Sequence, residues 1–254
     1  MHPIGPATTA PPRLPDAQPP GPLDGIGDWF GRAVDKLEEL AKSLIERVEG
    51  ETGGMPENER IARKLVEAGG TADKKDVDLV VAELAKMPVT ALRQMEAAGT
   101  KVVACRGSVT DHATELKGVQ PRGWPPGATW DQVPGAYMPD RNQVVVAVIG
   151  HGTPAGAHVP ATGEGHGSAN LVIHEAAHAV DATIGASRNS ASPAFNEARN
   201  KDIGAVSDYE RQPGVAGQSE TYAESAARYY GGSNGSAKTP ALDAYWRDNP
   251  LGGR

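Results

Sequence analysis

Between Leu23 and Val48 the apolar residues Ile26, Phe30, Ala33, Leu37, Leu40 and Leu44 recur at steps of four and three. Asp35, Lys36, Glu38, Glu39, Lys42 and Glu46 fall on the opposite side, so the pattern predicts one amphipathic helix. Its spacing suits packing on the chain's own body, and also permits a coiled coil or a partner-docking helix at 26–48. Gly50 to Met55 then reads as a linker. Two shorter helices are predicted at 57–68 (Ile61, Leu65, Val66) and 73–86 (Val77, Leu79, Val80, Leu84), parted by Gly69-Gly70-Thr71. Pro88 opens a third, with Leu92 and Met95 on its apolar face and Gly99 at its close. At Lys101 the period changes from helical to extended. Residues 101–105 read as a strand, and 136–148 as a hairpin turning at Pro139 to Asn142, with 142–149 the strongest β signal in the chain. A Gly- and His-rich loop (150–168) leads to a helix beginning near Ser168, taken as its N-cap, and running toward Gly185. A further helix covers Gln218 to Tyr230.

Composition narrows the possibilities. Residues 1–23 hold eight prolines and few large apolar residues, which predicts a disordered Pro-rich tail. The single cysteine, Cys105, excludes a disulfide scaffold and a multi-cysteine zinc ribbon, so any metal must be held by histidine and carboxylate. The formal charge of −7 has the wrong sign for a protein bound to phosphate backbones, and no nucleic-acid partner is expected. No stretch approaches the roughly 18 apolar residues of a membrane span. The N-terminus lacks the basic start and apolar run of a conventional secretory signal, which leaves localisation unknown and a specialised route of secretion open.

The helix after Ser168 carries the chemistry. It reads His174-Glu175-Ala-Ala-His178-Ala-Val-Asp181, and four residues make just over one turn, so both imidazoles can converge on one ion. Glu175 falls about 100° around the axis, beside the ion, where a base must stand to take a proton from metal-activated water. Chance placement of this composition yields the pattern about 1% of the time. The bland alternative is a pair of core histidines one turn apart.

A tetrahedral site needs a third protein ligand and an open position. Asp181 and Ile184 stand where a metzincin would carry glycine and histidine, which removes that class. A later carboxylate is the alternative, and Glu220-Thr-Tyr-Ala-Glu224 places two glutamates one turn apart on one helix face. Alone, such a pair is more often a solvated surface. In glutamate-type zinc peptidases the first carboxylate binds metal and the second orients a ligand histidine. Glu220 is therefore assigned to the metal, with one zinc per chain, and Glu224 to the imidazole behind it. Asp181 is either a second such support or a helix-end charge.

The two motifs together, 174–181 and 220–224, resemble the peptidase domain of anthrax toxin lethal factor and the related Pro-Pro endopeptidases. The resemblance covers about residues 88–232, and Thr221 departs from the usual aromatic of the second motif. It implies an α+β, zincin-like catalytic domain with a small mixed or antiparallel sheet, occupying 55–254 and preceded by the helical region 24–54. It also implies a gluzincin-type metalloendopeptidase acting on peptides or proteins, with a toxin-like or secreted character and a leaning to Pro-rich substrates. In that family a tyrosine shortly before the third ligand steadies the oxyanion. Tyr209 is the one tyrosine between the two motifs, eleven residues before Glu220 and beyond an expected irregular loop at Pro213 to Gly217; a surface residue is its other reading.

Further expectations concern the surroundings. A peptide substrate is expected to extend along strand 142–149. His151, His158 and His166 crowd one loop and suit either a second ion or loop structure. Cys105, close to His112 in sequence, is read as buried rather than nucleophilic. The competing class is a non-catalytic, zinc-stabilised binding or docking module, which a fourth protein ligand such as His166 would favour.

Overall fold

The computed structural model describes residues 54–121, 126–182, 188–232 and 238–253, together with Lys36 and Glu39. The expected tail at 1–23 lies outside the described residues. So does the amphipathic helix, except Lys36 and Glu39, which are helical and exposed. By internal contacts the chain divides into Met1–Gly54 and Met55–Arg254, and the sheet with the helices packed on it belongs to the second unit.

Helix α1 (Glu57–Leu65) buries Ile61, Ala62 and Leu65. It stops three residues short of expectation, because Val66–Ala68 become strand β1 and pair in parallel with Val102–Ala104. A β-branched valine and the backbone of Gly69, whose N–H donates to the Ala104 carbonyl at 2.8 Å, favour the sheet over another helical turn. Helix α2 (Lys74–Leu84) starts with a capping box: the Asp73 carboxylate accepts from the Lys75 and Asp76 amides, and Asp76 accepts from the Asp73 amide. Helix α3 (Val89–Ala97) follows Pro88 and ends before Gly99, which adopts φ +69°.

Strand β2 (Lys101–Arg106) leads through a long connection to β3 (Gly135–Met138), a tight turn with Asn142 in the left-handed region, and β4 (Gln143–Val148). The order is β1-β2-β4-β3, with β4 parallel to β2 and antiparallel to β3. The valine run of β4 is buried on both faces. Val144, Val146 and Val148 face the helices; Val145 and Ala147 join Val103, Cys105, Val109, Val133 and Ala136 in a smaller cluster on the other face. At about 1.5–3 kcal/mol for each fully buried aliphatic side chain, this double burial favours an interior position for β4, which it shares with β2. It also corrects the expected substrate strand: both edges of β4 are paired, and the strand with an open edge on this side is β3.

Helix α4 (Leu171–Ala182) lies against β3, β4 and the later helix α6 (Gly214–Tyr230). Its cap is Asn170, whose Oδ1 accepts from the Ile173 amide at 3.0 Å, and not Ser168, whose hydroxyl is directed to the Asn170 carbonyl. Helix α5 (Pro193–Asp202) and helix α7 (Pro240–Asp248) cover the far side of α6. Phe195, Tyr222, Tyr245 and Trp246 meet edge to face there, and the Trp246 Nε1–H donates to Ser225 Oγ at 3.0 Å. The expected loop at 213–217 is instead the first turn of α6, entered through Pro213. Among the described residues no helix is long and apolar enough to cross a membrane.

Candidate active site

Helices α4 and α6 pack side by side, and their facing surfaces bring His174, His178 and Glu220 together. One ligand atom from each lies within 4.8 Å of the others. The two Nε2 atoms are 3.1 Å apart, with the rings nearly perpendicular, and Glu220 Oε2 sits 3.5 Å from His174 Nε2 and 3.3 Å from His178 Nε2. That carboxylate oxygen is buried without a hydrogen-bond partner. Three atoms with lone pairs aimed at one point, one of them orphaned, form the donor set a divalent cation such as zinc satisfies. The group can hold a metal.

Each histidine is gripped from behind. His174 Nδ1 lies 3.2 Å from Glu224 Oε1. His178 Nδ1 lies 3.2 Å from Ser219 Oγ, and Ser219 is in turn 3.4 Å from Asp181 Oδ2. Asp181 is fully buried and accepts from the Ser190 amide and hydroxyl, both at 2.7 Å. Asp181 thus reaches His178 only through Ser219 and chiefly ties α4 to the 189–191 turn. Burial disfavours a charged His174, but the Glu224 hydrogen bond and the charges of Glu175, Glu224 and Glu220 outweigh it and push its pKa to about 9. Glu224 is held below the usual carboxylate range despite burial, by the His174 hydrogen bond, then the His174 and Arg228 charges and Ser168. Glu220 is lowered likewise, against burial, by His178, His174 and a hydrogen bond from Tyr209.

Glu175 stands beside this group with Oε2 accepting from the Tyr137 main-chain N–H at 2.8 Å. The contact requires β3 to approach α4 closely, and Gly135 permits it: a Cβ there would lie 2.7 Å from Leu171 Cδ1. Tyr209 does reach the site. More than half of the residue is exposed (53%), yet it lines the same cleft as His174 and Glu175, with its hydroxyl close enough to Glu220 to feel that charge. Burial of that hydroxyl, followed by the Glu220 charge, raises its pKa. A cleft of about 900 Å³ opens here, lined on one side by Pro134, Gly135 and His166 and on the other by Ser207, Tyr209 and Arg228.

Other candidates disperse. His151 pairs with Asp76, His158 with Glu164, and His166 is engaged at both nitrogens, with the Pro160 carbonyl and the Ser168 amide. Among the described residues the His174, His178 and Glu220 group is the one that could hold a metal, so neither a second ion nor a fourth ligand from His166 is supported. Cys105 is fully buried in β2, and burial pushes its thiol up to about 12. His112 faces Gln143 instead. Sequence patterns do not single out Ser219, the Tyr137 amide or Glu210, because none of the three sits in a spacing that announces its role.

A small mixed sheet, a histidine helix laid across it and a second helix delivering a carboxylate define a zincin-like α+β domain. Residues 56–240 match the family described as anthrax toxin lethal factor, N- and C-terminal domain, and the chain belongs to that family. It is 38% identical over 104 residues to a Pro-Pro endopeptidase of Paenibacillus alvei, covering 40% of this chain and 42% of that protein. A Pro-Pro endopeptidase of Clostridioides difficile strain 630 is 34% identical over 115 residues, 44% of this chain and 47% of the relative. The aligned segment thus spans less than half of either relative. The solved structure of the Pro-Pro endopeptidase from Paenibacillus alvei superposes with a TM-score of 0.60 at 29% identity, over 74% of this chain and 98% of that one.

Proposed function

We propose that this chain is a zinc-dependent endopeptidase of the gluzincin type, with one Zn2+ held by His174, His178 and Glu220. The observation that carries the proposal is the convergence of those three ligand atoms beside a glutamate that is not one of them. Bound zinc would supply a Lewis acid that acidifies water and polarises a carbonyl. Glu175 then takes the proton of the attacking water and hands it to the leaving amine, its carboxylate kept in place by the Tyr137 amide. Glu224 and Ser219 hold the imidazoles in the tautomer that leaves Nε2 free. Tyr209 lines the same cleft as His174 and Glu175, and its hydroxyl is assigned the role of turning a hydrogen toward an oxygen gaining charge. The open edge of β3 offers main-chain groups along which an extended peptide can add.

The relatives' names support Pro-rich substrates, and the chain's own Pro11-Pro12 and Pro19-Pro20 belong among the sequences to test. A toxin-like or secreted setting is part of the same proposal and rests on the family alone. The three-ligand group favours this reading over a structural zinc module, which needs a closed, four-ligand site. The test is a peptide-library digest read by mass spectrometry, with and without chelator. Cleavage that chelator abolishes and zinc restores supports the enzyme; zinc bound stoichiometrically with no cleavage of any peptide overturns it in favour of the module.

A further inference from the structure

Tyr209 poses a mechanical problem. It sits on a turn, more than half exposed, yet it lines the cleft beside His174 and Glu175 and its hydroxyl feels the Glu220 charge. The residue beside it, Glu210, is the opposite: a carboxylate only 2% exposed, with every described contact directed at that turn or at α6. Glu210 Oε2 accepts from the Ser207 amide at 3.0 Å and the Ser207 hydroxyl at 2.9 Å, closing the turn from within. Glu210 Oε1 accepts from Arg228 Nη2 at 2.8 Å. The Glu210 main-chain carbonyl accepts from Arg199 Nη2 at 2.7 Å and lies 3.0 Å from Thr221 Oγ1, which itself accepts from Arg199 Nε at 2.8 Å. Glu220, Glu224 and Arg228 follow one another at four-residue steps along α6, so the helix that presents the Glu220 carboxylate also presents the cation that grips Glu210. Thr221, where this chain departs from the aromatic of the family motif, is fully buried in the same tie.

We propose that Glu210, clamped by Arg228 and seated on Thr221, is a positioning residue that holds the Tyr209 hydroxyl over Glu220. The inference rests on the peptidase reading for its kinetic consequence but not for its structural one. Because the Glu210 carboxylate is buried, severing its pairing with Arg228 is costly, so the clamp is a firm constraint on the turn. Glu210 lines the cleft but touches none of the cation-binding atoms, and its carboxylate is taken up by Ser207 and Arg228, so it is placed here as acting through its neighbour.

The test is a double-mutant cycle in the full chain. Removing one oxyanion donor typically lowers kcat by about 100- to 1,000-fold, and Tyr209→Phe is expected to fall in or just below that range. Glu210→Ala is expected to lower kcat at least tenfold with little change in KM, and Glu210→Gln, which can still accept from Ser207, to recover part of that loss. In the Tyr209→Phe background Glu210→Ala should cost almost nothing more, because the group it positions is already gone. Hydrogen exchange on the metal-free protein gives a second readout: peptides spanning 206–212 should exchange faster in Glu210→Ala while α4 stays protected. If Glu210→Ala does not fold, Arg228→Met carries the same cycle. Additive losses in the two backgrounds, or unchanged exchange at 206–212, would overturn the proposal. An inactive wild type with the expected exchange change would instead count against the peptidase reading and leave the clamp standing.

Discussion

The Tyr137 amide and the Glu175 carboxylate share a hydrogen bond of 2.8 Å, so the edge strand and the proposed base are one mechanical unit. Glutamine at 175 can still accept that bond through its amide oxygen but cannot take a proton from water. Glu175→Gln should therefore bind zinc as the wild type does and lose peptide hydrolysis by about 100- to 10,000-fold, the usual worth of a general base. Metal content and turnover measured on one preparation check the pair of claims; near-wild-type turnover would remove Glu175 from the mechanism.

The two glutamates of α6 differ in what they touch. Glu220 Oε2 faces both Nε2 atoms, whereas Glu224 Oε1 meets the rear nitrogen of His174. Glu224→Ala should weaken zinc by about 10- to 100-fold, and Glu220→Ala by more, with the latter isolated largely metal-free. Competitive chelator titration at fixed pH decides between them, since protons compete for His174. Greater damage in Glu224→Ala would mean that the third ligand is misassigned by one helical turn.

Ser219 is the link between buried Asp181 and His178 Nδ1. Ser219→Ala should lower zinc affinity by about tenfold while leaving the melting temperature of the metal-free protein close to wild type. Asp181→Asn should do the reverse in emphasis, because Asp181 anchors Ser190 by two bonds of 2.7 Å. Thermal unfolding beside chelator titration separates the two effects.

Asp111 joins α2's approach loop to β2 by accepting from the Thr71 amide at 2.8 Å and the Arg106 amide at 2.9 Å. Its partial burial alone would raise its pKa, but these bonds and the Thr71 hydroxyl win and lower it. A carboxyl depressed in the folded state adds stability above its unfolded pKa of about 3.9 and loses it as pH falls through the lower folded value. Asp111→Asn should therefore be less stable than wild type at pH 7, by an amount reduced by solvent screening of this only partly buried group, with the gap closing as the pH is taken well below the unfolded carboxyl pKa of about 3.9. Urea unfolding at the two pH values is the measurement, and a gap independent of pH would refute the assignment.

Residues 55–254 contain all the candidate site residues and form their own contact unit. Removing 1–54 should leave a folded chain with zinc affinity and hydrolysis within about twofold of the full length. Circular dichroism and peptide turnover on the truncated chain test this, and loss of folding would assign the amphipathic 24–48 segment to the catalytic body.

What could be read along the chain was whatever is written locally. The i, i+4 spacing of His174 and His178 is itself a geometry, because a helix converts four residues into one turn, and the same holds for Glu220 and Glu224. The β3–β4 hairpin was legible from its turn, and strand β2 from the change of period at Lys101; the α+β class came with the resemblance of the two motifs. Helix ends were less so: α1 gives up Val66 to Ala68 because a parallel partner, β2, is waiting in space, and Pro213 to Gly217 enter a helix because α6 is braced on both sides. Strand order could not be read at all. A valine run buried on both faces looks alike whether its edges are open or paired, and only the pairing with β2 and β3 shows that β4 has no edge for a peptide. Tyr209 and Glu210 mark the same boundary. Adjacent in sequence, one is exposed and one buried, and whether an acid is a solvated charge or the clamp of a turn depends on where Arg228 arrives from eighteen residues away. Local spacing sets which atoms can share a face; burial and long-range pairing, which no short window contains, decide what those atoms meet.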